Sequence, residues 1–283
     1  MEGIEIKQIS WYDDRFYRMD YLDEHGVEIR DYFPSVTTKL SALAKPFLLQ
    51  WYGDIGTREA KAKMNEAGEK GTRVHYAWNT YINGGAVVYN PRKYALHTPE
   101  ELKEVTEYYN GNVYFLENQE EMYDMHKLQR FNEIVKPDHR DSEMIVYDIE
   151  NRDAGTLDNL MYIDEGDYEI NGKKPIHIDE GLYIGDLKTG GDASVGKSAC
   201  MQIACYTYCV EAMGLGEVKG GLILHTGSKN RSGIEGFGVT LLDRARLDEE
   251  YQDYRDISRV WQRNFGTLKP KILQVPNIIT IGE

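Results

Sequence analysis

The chain has 283 residues, of which 41% are hydrophobic and 28% are charged, a composition typical of a globular protein and not of a disordered one. Its formal net charge is −14 at pH 7, and an acidic surface repels polyanions, which argues against non-specific coating of duplex DNA. No apolar run has the length of a membrane-spanning helix and no secretion signal opens the sequence, so we expect a cytoplasmic protein that makes no membrane contact.

The N-terminal stretch has the pattern of a small β-sheet. Residues 1–34 predict a β meander, because strand-like runs lie on both sides of a turn-like stretch at residues 23–26. Ser35 can then cap a short helix, since its hydroxyl can accept a hydrogen bond from a backbone N–H of the first helical turn. The meander is therefore predicted to lead directly into helical structure.

Residues 35–140 are predicted to form a helical region. One helix should begin at residue 46 and stop near residue 68, and another should begin at residue 71 or 72 and carry His75. The acidic, helix-periodic stretch 99–136 predicts two more helices that pack on the core.

Residues 141–265 are predicted to contain the main sheet. Apolar runs of strand length recur there, with one amphipathic helix among them at residues 201–214 and another after them at residues 243–263. Residues 266–283 carry little signal and are described as a tail. We therefore predict one α/β domain over residues 1–283, with a mixed β-sheet flanked by helices and an N-terminal helical elaboration.

The stretch IGDLKTG places a carboxylate and an ammonium side by side. Asp186 and Lys188 are two residues apart on a predicted strand, so both side chains project from the same face. Asp158 lies on a strand that can pair antiparallel with this one, which would bring a second carboxylate to the same point. Two carboxylates suit Mg²⁺, which prefers oxygen ligands and keeps several waters. For Asp186 and Lys188 alone, the alternative is a surface ion pair.

Three further polar residues lie at informative positions. His75 is one turn into a predicted helix and could add a neutral nitrogen ligand, although a lone histidine more often has a structural role. Gln202 and Tyr206 are four residues apart on the helix that follows the DLKTG strand, where they could orient Lys188 or contact a substrate. The alternative for this pair is a half-exposed polar helix face.

In chain order, GTRVH, AGTLD, IGDLKTG and QIACY resemble the G…H, GxxD, (D/E)xK and QxxxY motifs of the PD-(D/E)XK nuclease superfamily, in its RecB-type exonuclease branch. RFYRMD and PSVTTKL resemble the beginning of phage and mitochondrial genome-maintenance exonucleases in that branch. The resemblance implies a restriction-endonuclease-like core and a metal-dependent DNA exonuclease, intracellular and bacterial or phage-encoded. It would act on DNA ends or single strands in replication, recombination or repair.

The resemblance also implies roles for individual residues. Mg²⁺ or Mn²⁺ would be bound by His75, Asp158, Asp186 and the backbone carbonyl of Leu187. Lys188 would be catalytic, together with these acids and the histidine. Supporting or nucleic-acid contacts are expected from Gln202, Tyr206, Arg73, Thr189 and Lys197.

Some assignments stay open at the level of sequence. Glu143 occupies about the place where many of these enzymes keep an extra acid, but Glu150 and Asp153 compete for that role. Three aromatic residues could stack on nucleic-acid bases, namely Trp51, Tyr76 and Trp78. For at least two of them the alternative is packing in the core. The oligomeric state is also left open.

Residues 191–198 match GxxxxGK[ST], the phosphate-binding loop of nucleotide hydrolases, which would use Lys197. Such an enzyme also needs an acid at the end of a second apolar strand, and the later candidate GGLILHTGS ends in His225 and Thr226 instead. We keep this interpretation as an alternative, beside a catalytically inactive nucleic-acid-binding protein with the nuclease fold.

Overall fold

The structure is a computed structural model that describes residues 4–11, 14–43, 46–94, 96–170, 174–190, 196–227, 237–268 and 270. Its strands are β1 (Glu5–Trp11), β2 (Asp14–Leu22), β3 (Glu28–Pro34), β4 (Ala86–Tyr89), β5 (Val113–Leu116), β6 (Asp138–Asp148), β7 (Asp153–Ile163), β8 (Gly166–Tyr168), β9 (Ile176–Ile178), β10 (Gly181–Lys188), β11 (Val218–His225) and β12 (Gly238–Asp243). Its helices are α1 (Val36–Leu40), α2 (Pro46–Ile55), α3 (Thr57–Ile82), α4 (Pro99–Tyr108), α5 (Gln119–Val135), α6 (Lys197–Ala212) and α7 (Arg244–Phe265).

The main sheet has five strands in the order β12-β11-β10-β7-β6. β10 is parallel to β11, and the other neighbouring strands are antiparallel. One face of the sheet packs against α1, α6 and α7, and the other packs against α3 and α5. Because both faces are covered, successive residues of β11 such as Leu222 and Ile223 are buried on opposite sides. The predicted α/β class, a mixed sheet flanked by helices, is confirmed.

The N-terminal meander is a separate antiparallel sheet of β1, β2 and β3, as predicted. In its turn, the Asp23 carboxylate accepts hydrogen bonds from two backbone N–H groups, and Gly26 has a φ of 75° that suits glycine. The Ser35 hydroxyl caps α1 by accepting from the N–H of Thr38 at 3.0 Å. The predicted cap is therefore confirmed.

The helix that carries His75 is longer than the sequence predicts. α3 runs without interruption from residue 57 to residue 82, so the predicted break between Gly68 and Gly71 is wrong. Helical structure is interrupted instead at Gly56, between α2 and α3, where φ is 83°. A helical glycine costs only about 1 kcal/mol, and the helix continues because its next turns bury Val74, Ala77 and Trp78 in the core.

The region predicted to be helical also contains a two-stranded parallel sheet, β4 and β5. The two helices predicted over residues 99–136 are present as α4 and α5, and β5 lies between them. β6 begins at Asp138, slightly before the predicted start of the sheet region at residue 141. Residues 171–173, within the insert between β7 and β10, and the predicted tail from residue 271 onward lie outside the described residues.

No helix within the described ranges combines the length and the apolar character that crossing a membrane requires.

Candidate metal centre

Two neighbouring strands of the main sheet carry the predicted acids. β10 and β7 pair antiparallel, as predicted, with Gly185 opposite Asn159, which makes Asp186 and Asp158 close neighbours in the sheet. The Asp158 carboxylate is oriented by the β10 backbone, because the N–H of Leu187 donates to its Oδ2 at 2.7 Å. A charge-assisted hydrogen bond of this kind fixes the carboxylate without neutralising it.

An imidazole and two carboxylates meet beside this strand pair. The ligand atoms of His75, Glu143 and Asp158 all lie within 4.8 Å of one another. His75 Nδ1 is 3.5 Å from Asp158 Oδ1 and 3.8 Å from Glu143 Oε1. On the other side of the ring, Nε2 lies 3.1 Å from the carbonyl oxygen of Leu187. The group therefore draws on α3, β6, β7 and the backbone of β10.

The charges around His75 determine its protonation state. Burial lowers the pKa of His75, but the negative charges of Asp158, Glu143 and Asp186 outweigh burial and raise the pKa to about 9. At neutral pH the ring is therefore protonated when no metal is bound. This proton supplies positive charge in the same place where a divalent cation would supply it.

The structure distinguishes the three acids that compete for the extra position. Ser142 pairs with Asn159 and Met144 pairs with Leu157, so Glu143 faces Asp158 across the two strands. Asp153 lies in a different buried cluster, paired with Lys39, and Glu150 is exposed in the turn after β6. Of these three acids, Glu143 is the one that lies with His75 and Asp158.

Asp186 and Lys188 form a buried ion pair. Lys188 Nζ lies 2.8 Å from Asp186 Oδ1 and 2.7 Å from Oδ2, so the ammonium contacts both oxygens of the carboxylate. Burial raises the pKa of Asp186, an effect that the charge of Lys188 partly reverses. Burial lowers the pKa of Lys188, but Asp186 and Asp158 outweigh it and raise the pKa above its ordinary value, which keeps the ammonium protonated.

The ion pair also affects which residues can act as ligands. Asp186 is 2% exposed and is not a member of the His75 group, whereas Lys188 lines the open cavity. The sequence predicted Asp186 as a ligand beside His75 and Asp158. The group within 4.8 Å contains Glu143 and not Asp186, whose carboxylate contacts the Lys188 ammonium, and the role of Asp186 as a ligand stays a prediction.

Gln202 and Tyr206 lie beside the acids on α6. The amide of Gln202 donates to the Tyr206 hydroxyl at 3.2 Å, and both residues line the cavity. Burial and the nearby acids raise the pKa of Tyr206 well above its ordinary value, so the phenol stays neutral. Gly155, in the AGTLD motif, makes room for this ring, because a Cβ there would lie 2.2 Å from Tyr206 Cε1.

The cavity at the site has a volume of about 490 Å³, and residues from the N-terminal region form one of its walls. His75, Glu143, Asp158 and Lys188 line it. Gln8, Arg15, Thr37 and Thr156 line it as well, and the sequence did not predict any of them as a site residue. No local pattern marks them, because this wall forms only when the N-terminal sheet packs against β7.

The remaining predicted contact residues lie at different distances from the cavity. Thr189 is near α3, since a Cβ at Gly71 would be 3.4 Å from its Oγ1. Arg73 turns away from the cavity and donates two hydrogen bonds to the buried carboxylate of Glu121. Lys197 does not line the cavity either, and its ammonium pairs with Asp253 of α7 at 2.6 Å.

Part of the alternative phosphate-binding loop, residues 191–195, lies outside the described residues. The flanking elements do not favour it. β10 lies between a parallel and an antiparallel neighbour, and its last residues include the charged pair Asp186 and Lys188. The strand before a phosphate-binding loop is normally apolar and lies in a parallel sheet. The lysine that would contact a nucleotide is ion-paired on the surface.

The three aromatic residues considered for base stacking lie in different environments. Tyr76 lines the cavity and is 54% exposed, which leaves its ring accessible to a ligand. Trp78 is buried and packs against Tyr81 and His139, so it is a core residue. Trp51 is half-buried on α2 and does not line the cavity.

A comparison with protein-family models found no match for this chain, and a comparison with curated proteins found none either.

Proposed function

We propose that this chain is a metal-dependent nuclease of the PD-(D/E)XK type, with a restriction-endonuclease-like core, that hydrolyses phosphodiester bonds in DNA. The proposal depends on one observation above all. His75, Glu143 and Asp158 come from three separate elements and meet beside the ion pair of Lys188 and Asp186. An ordinary surface ion pair would not need two more acids and an imidazole at the same point.

The donor atoms fit a hard divalent cation. Carboxylate oxygens and one imidazole nitrogen suit Mg²⁺ or Mn²⁺, and the opposed carboxylates of Glu143 and Asp158 need positive charge between them. We infer that these two acids and His75 hold the ion, with Asp186 and the Leu187 carbonyl as further predicted ligands. When bound, such an ion stabilises negative charge on a phosphate and lowers the pKa of a water molecule.

Lys188 is the chain's own cation at this site. Its ammonium reaches the cavity, while the buried carboxylate of Asp186 fixes its position from behind. We infer that Lys188 stabilises the negative charge that develops on the phosphate during hydrolysis. The Leu187 N–H orients the Asp158 carboxylate, and the Gln202 amide donates to the Tyr206 hydroxyl. We infer that these hydrogen bonds hold the polar side chains around Lys188 in position.

The proposed substrate is a single strand or the end of a duplex. A net charge of −14 does not favour wrapping of duplex DNA. Tyr76, exposed at the cavity, has a face on which a base could stack.

The test is degradation of end-labelled single- and double-stranded DNA with Mg²⁺, Mn²⁺ or EDTA. Lys188→Ala should lower the rate by about 100- to 1000-fold, the usual effect of removing one preorganised charge-stabilising group. Asp158→Asn should have a comparable effect, and EDTA should stop degradation. Lys197→Ala is the matched control, since its exposed ion pair lies off the cavity, and it should keep activity.

Binding of the ion is measured separately from degradation. Mn²⁺ should raise the melting temperature of the wild type, because a ligand that binds only the folded state stabilises it, and should do so far less for Asp158→Asn. A wild type that degrades no DNA with either ion would contradict the proposal. ATP hydrolysis that is lost in Lys197→Ala would favour a nucleotide hydrolase instead, and DNA binding without turnover would favour an inactive binding protein.

A further inference from the structure

The N-terminal sheet supplies one wall of the cavity, and this wall is polar. Gln8 of β1, Arg15 of β2 and Thr37 of α1 line it, beside Thr156 of β7. Gln8 is the strand partner of Tyr17, whose hydroxyl lies 2.8 Å from the Thr156 hydroxyl. The N-terminal sheet is therefore joined to the strand that carries Asp158.

The backbone of Arg15 is held from several directions. Its N–H donates to Thr38 Oγ1 at 3.0 Å. Its carbonyl accepts from the N–H of Ser35 at 2.8 Å and from the Thr38 hydroxyl at 3.1 Å. Ser35 also bridges to Ala154 at the start of β7. The base of the Arg15 side chain thus has a fixed position relative to the acids of the site.

The charge of Arg15 is not neutralised by an acid. In the described part of the chain no carboxylate lies within ion-pair distance of its guanidinium, which faces the Tyr17 hydroxyl. Arg18, three residues further along the same strand, pairs with both Glu5 and Asp20. Arg15 is exposed at a cavity that two acids line, Glu143 and Asp158, yet it forms an ion pair with neither of them.

We propose that Arg15 binds a backbone phosphate of the substrate strand next to the phosphate that is hydrolysed, with Gln8 and Thr37 as neutral hydrogen-bond partners. The inference rests on the proposed nuclease function and adds a substrate-positioning residue to it. A guanidinium matches the oxygens of a phosphate with two parallel hydrogen bonds. An acidic chain needs such a local cation if a polyanion is to approach a site with three carboxylates.

The test compares Arg15→Gln with Arg18→Gln, a matched control on the same strand whose side chain is not at the cavity. Binding of a short fluorescein-labelled oligothymidylate is measured by anisotropy in Ca²⁺, over a series of salt concentrations. Arg15→Gln should weaken binding about tenfold, as expected for one lost charge-assisted hydrogen-bonding group. The slope of log affinity against log salt should fall by about 0.7, the value for one phosphate contact on a single strand.

Further readouts separate positioning from a structural role. Arg15→Lys keeps the positive charge but loses the two parallel hydrogen bonds of the guanidinium. It should keep the slope of log affinity against log salt and lose part of the affinity. In degradation assays Arg15→Gln should raise KM more than it lowers kcat. Arg18→Gln should leave the affinity and the salt slope unchanged.

The binding measurement is independent of cleavage. Equal oligothymidylate affinity and equal salt slope for wild type and Arg15→Gln would overturn the role of Arg15, even if the wild type degrades DNA. Absence of degradation by the wild type would contradict the proposed function, and it would leave the comparison of affinities readable. A loss of affinity in Arg18→Gln as large as in Arg15→Gln would also overturn the inference, because it would indicate a general charge effect.

Discussion

Glu143 has a backbone φ of 51°, a left-handed conformation that residues other than glycine rarely adopt within a strand. Its carboxylate also faces that of Asp158 across β6 and β7, where like charges repel. The positive φ raises the free energy of the folded protein, whereas the protonated His75 offsets the repulsion of the two carboxylates when no metal is bound. Backbone strain of this kind collects at functional sites, which fits a role for Glu143 in holding a cation better than a role in stability.

The strain at Glu143 can be measured with two substitutions that both remove the carboxylate. In EDTA, Glu143→Gly should be more stable than Glu143→Ala by about 1 kcal/mol, because alanine retains the cost of a positive φ and glycine does not. Urea denaturation gives the two free energies of unfolding. At Glu107, exposed on α4, the order should reverse by about 1 kcal/mol, since glycine is a poor helix former. Equal stability of the two variants at residue 143 would contradict the left-handed conformation.

At the scale of elements, the continuity of α3 positions His75. The helix extends over 26 residues, and its later turns bury Val74 and Trp78 on both sides of His75. The imidazole therefore projects from a rigid, packed segment rather than from a helix end. The sequence does not show that α3 is continuous, because glycines at residues 68 and 71 are typical of a helix end.

Alanine substitution distinguishes a continuous α3 from an interrupted one. Gly68→Ala should raise the free energy of unfolding by about 0.5 to 1 kcal/mol, because alanine is the better helix former and a Cβ at that position has nothing within 4 Å. Gly56→Ala should lower it by about 1 to 2 kcal/mol, because its φ of 83° is left-handed. Thermal and urea unfolding check both signs. A destabilising Gly68→Ala would indicate that the helix ends there after all.

At the scale of the whole molecule, one buried polar cluster joins distant parts of the chain. The Lys39 ammonium of α1 contacts the Asp153 carboxylate of β7, which also accepts a hydrogen bond from the Tyr254 hydroxyl of α7. The side chains of Lys39 and Asp153 are 3% and 1% exposed. A cluster this deep ties the segment after the N-terminal sheet, the main sheet and the last helix to one another.

Asp153→Ala should therefore destabilise the protein by about 3 to 5 kcal/mol, because it leaves the buried Lys39 ammonium without a counter-charge, with the carbonyl oxygen of Arg152 as its remaining hydrogen-bond acceptor. Urea denaturation provides the measurement. Asp253→Ala breaks the exposed pair with Lys197 and should change stability by no more than about 1 kcal/mol. A small effect at Asp153 would mean that Lys39 reaches water in solution.

Sequence patterns predicted the features that depend on local order. Alternation predicted the meander and the main sheet, and the spacing of a hydroxyl before a helical run predicted the Ser35 cap. The antiparallel pairing that places Asp158 near Asp186 also followed from the sequence, since the insert between the two strands contains turn-forming residues. The functional roles given to these residues stay predictions.

The amino-acid sequence by itself determined the strands of the two larger sheets, most of the helices and the chemistry available at each position, but not β4, β5 or the continuity of α3. Propensity, periodicity and capping act over a few residues, which is why these features could be predicted. Only the tertiary structure decided that Glu143 and not Asp153 joins His75, that Asp186 is buried behind Lys188, and that Arg15 lines the cavity. The physical reason is that electrostatic partners are chosen by distance in space. Which charges meet depends on how the sheets and helices pack, and contacts between residues far apart in the chain leave no local pattern in one sequence.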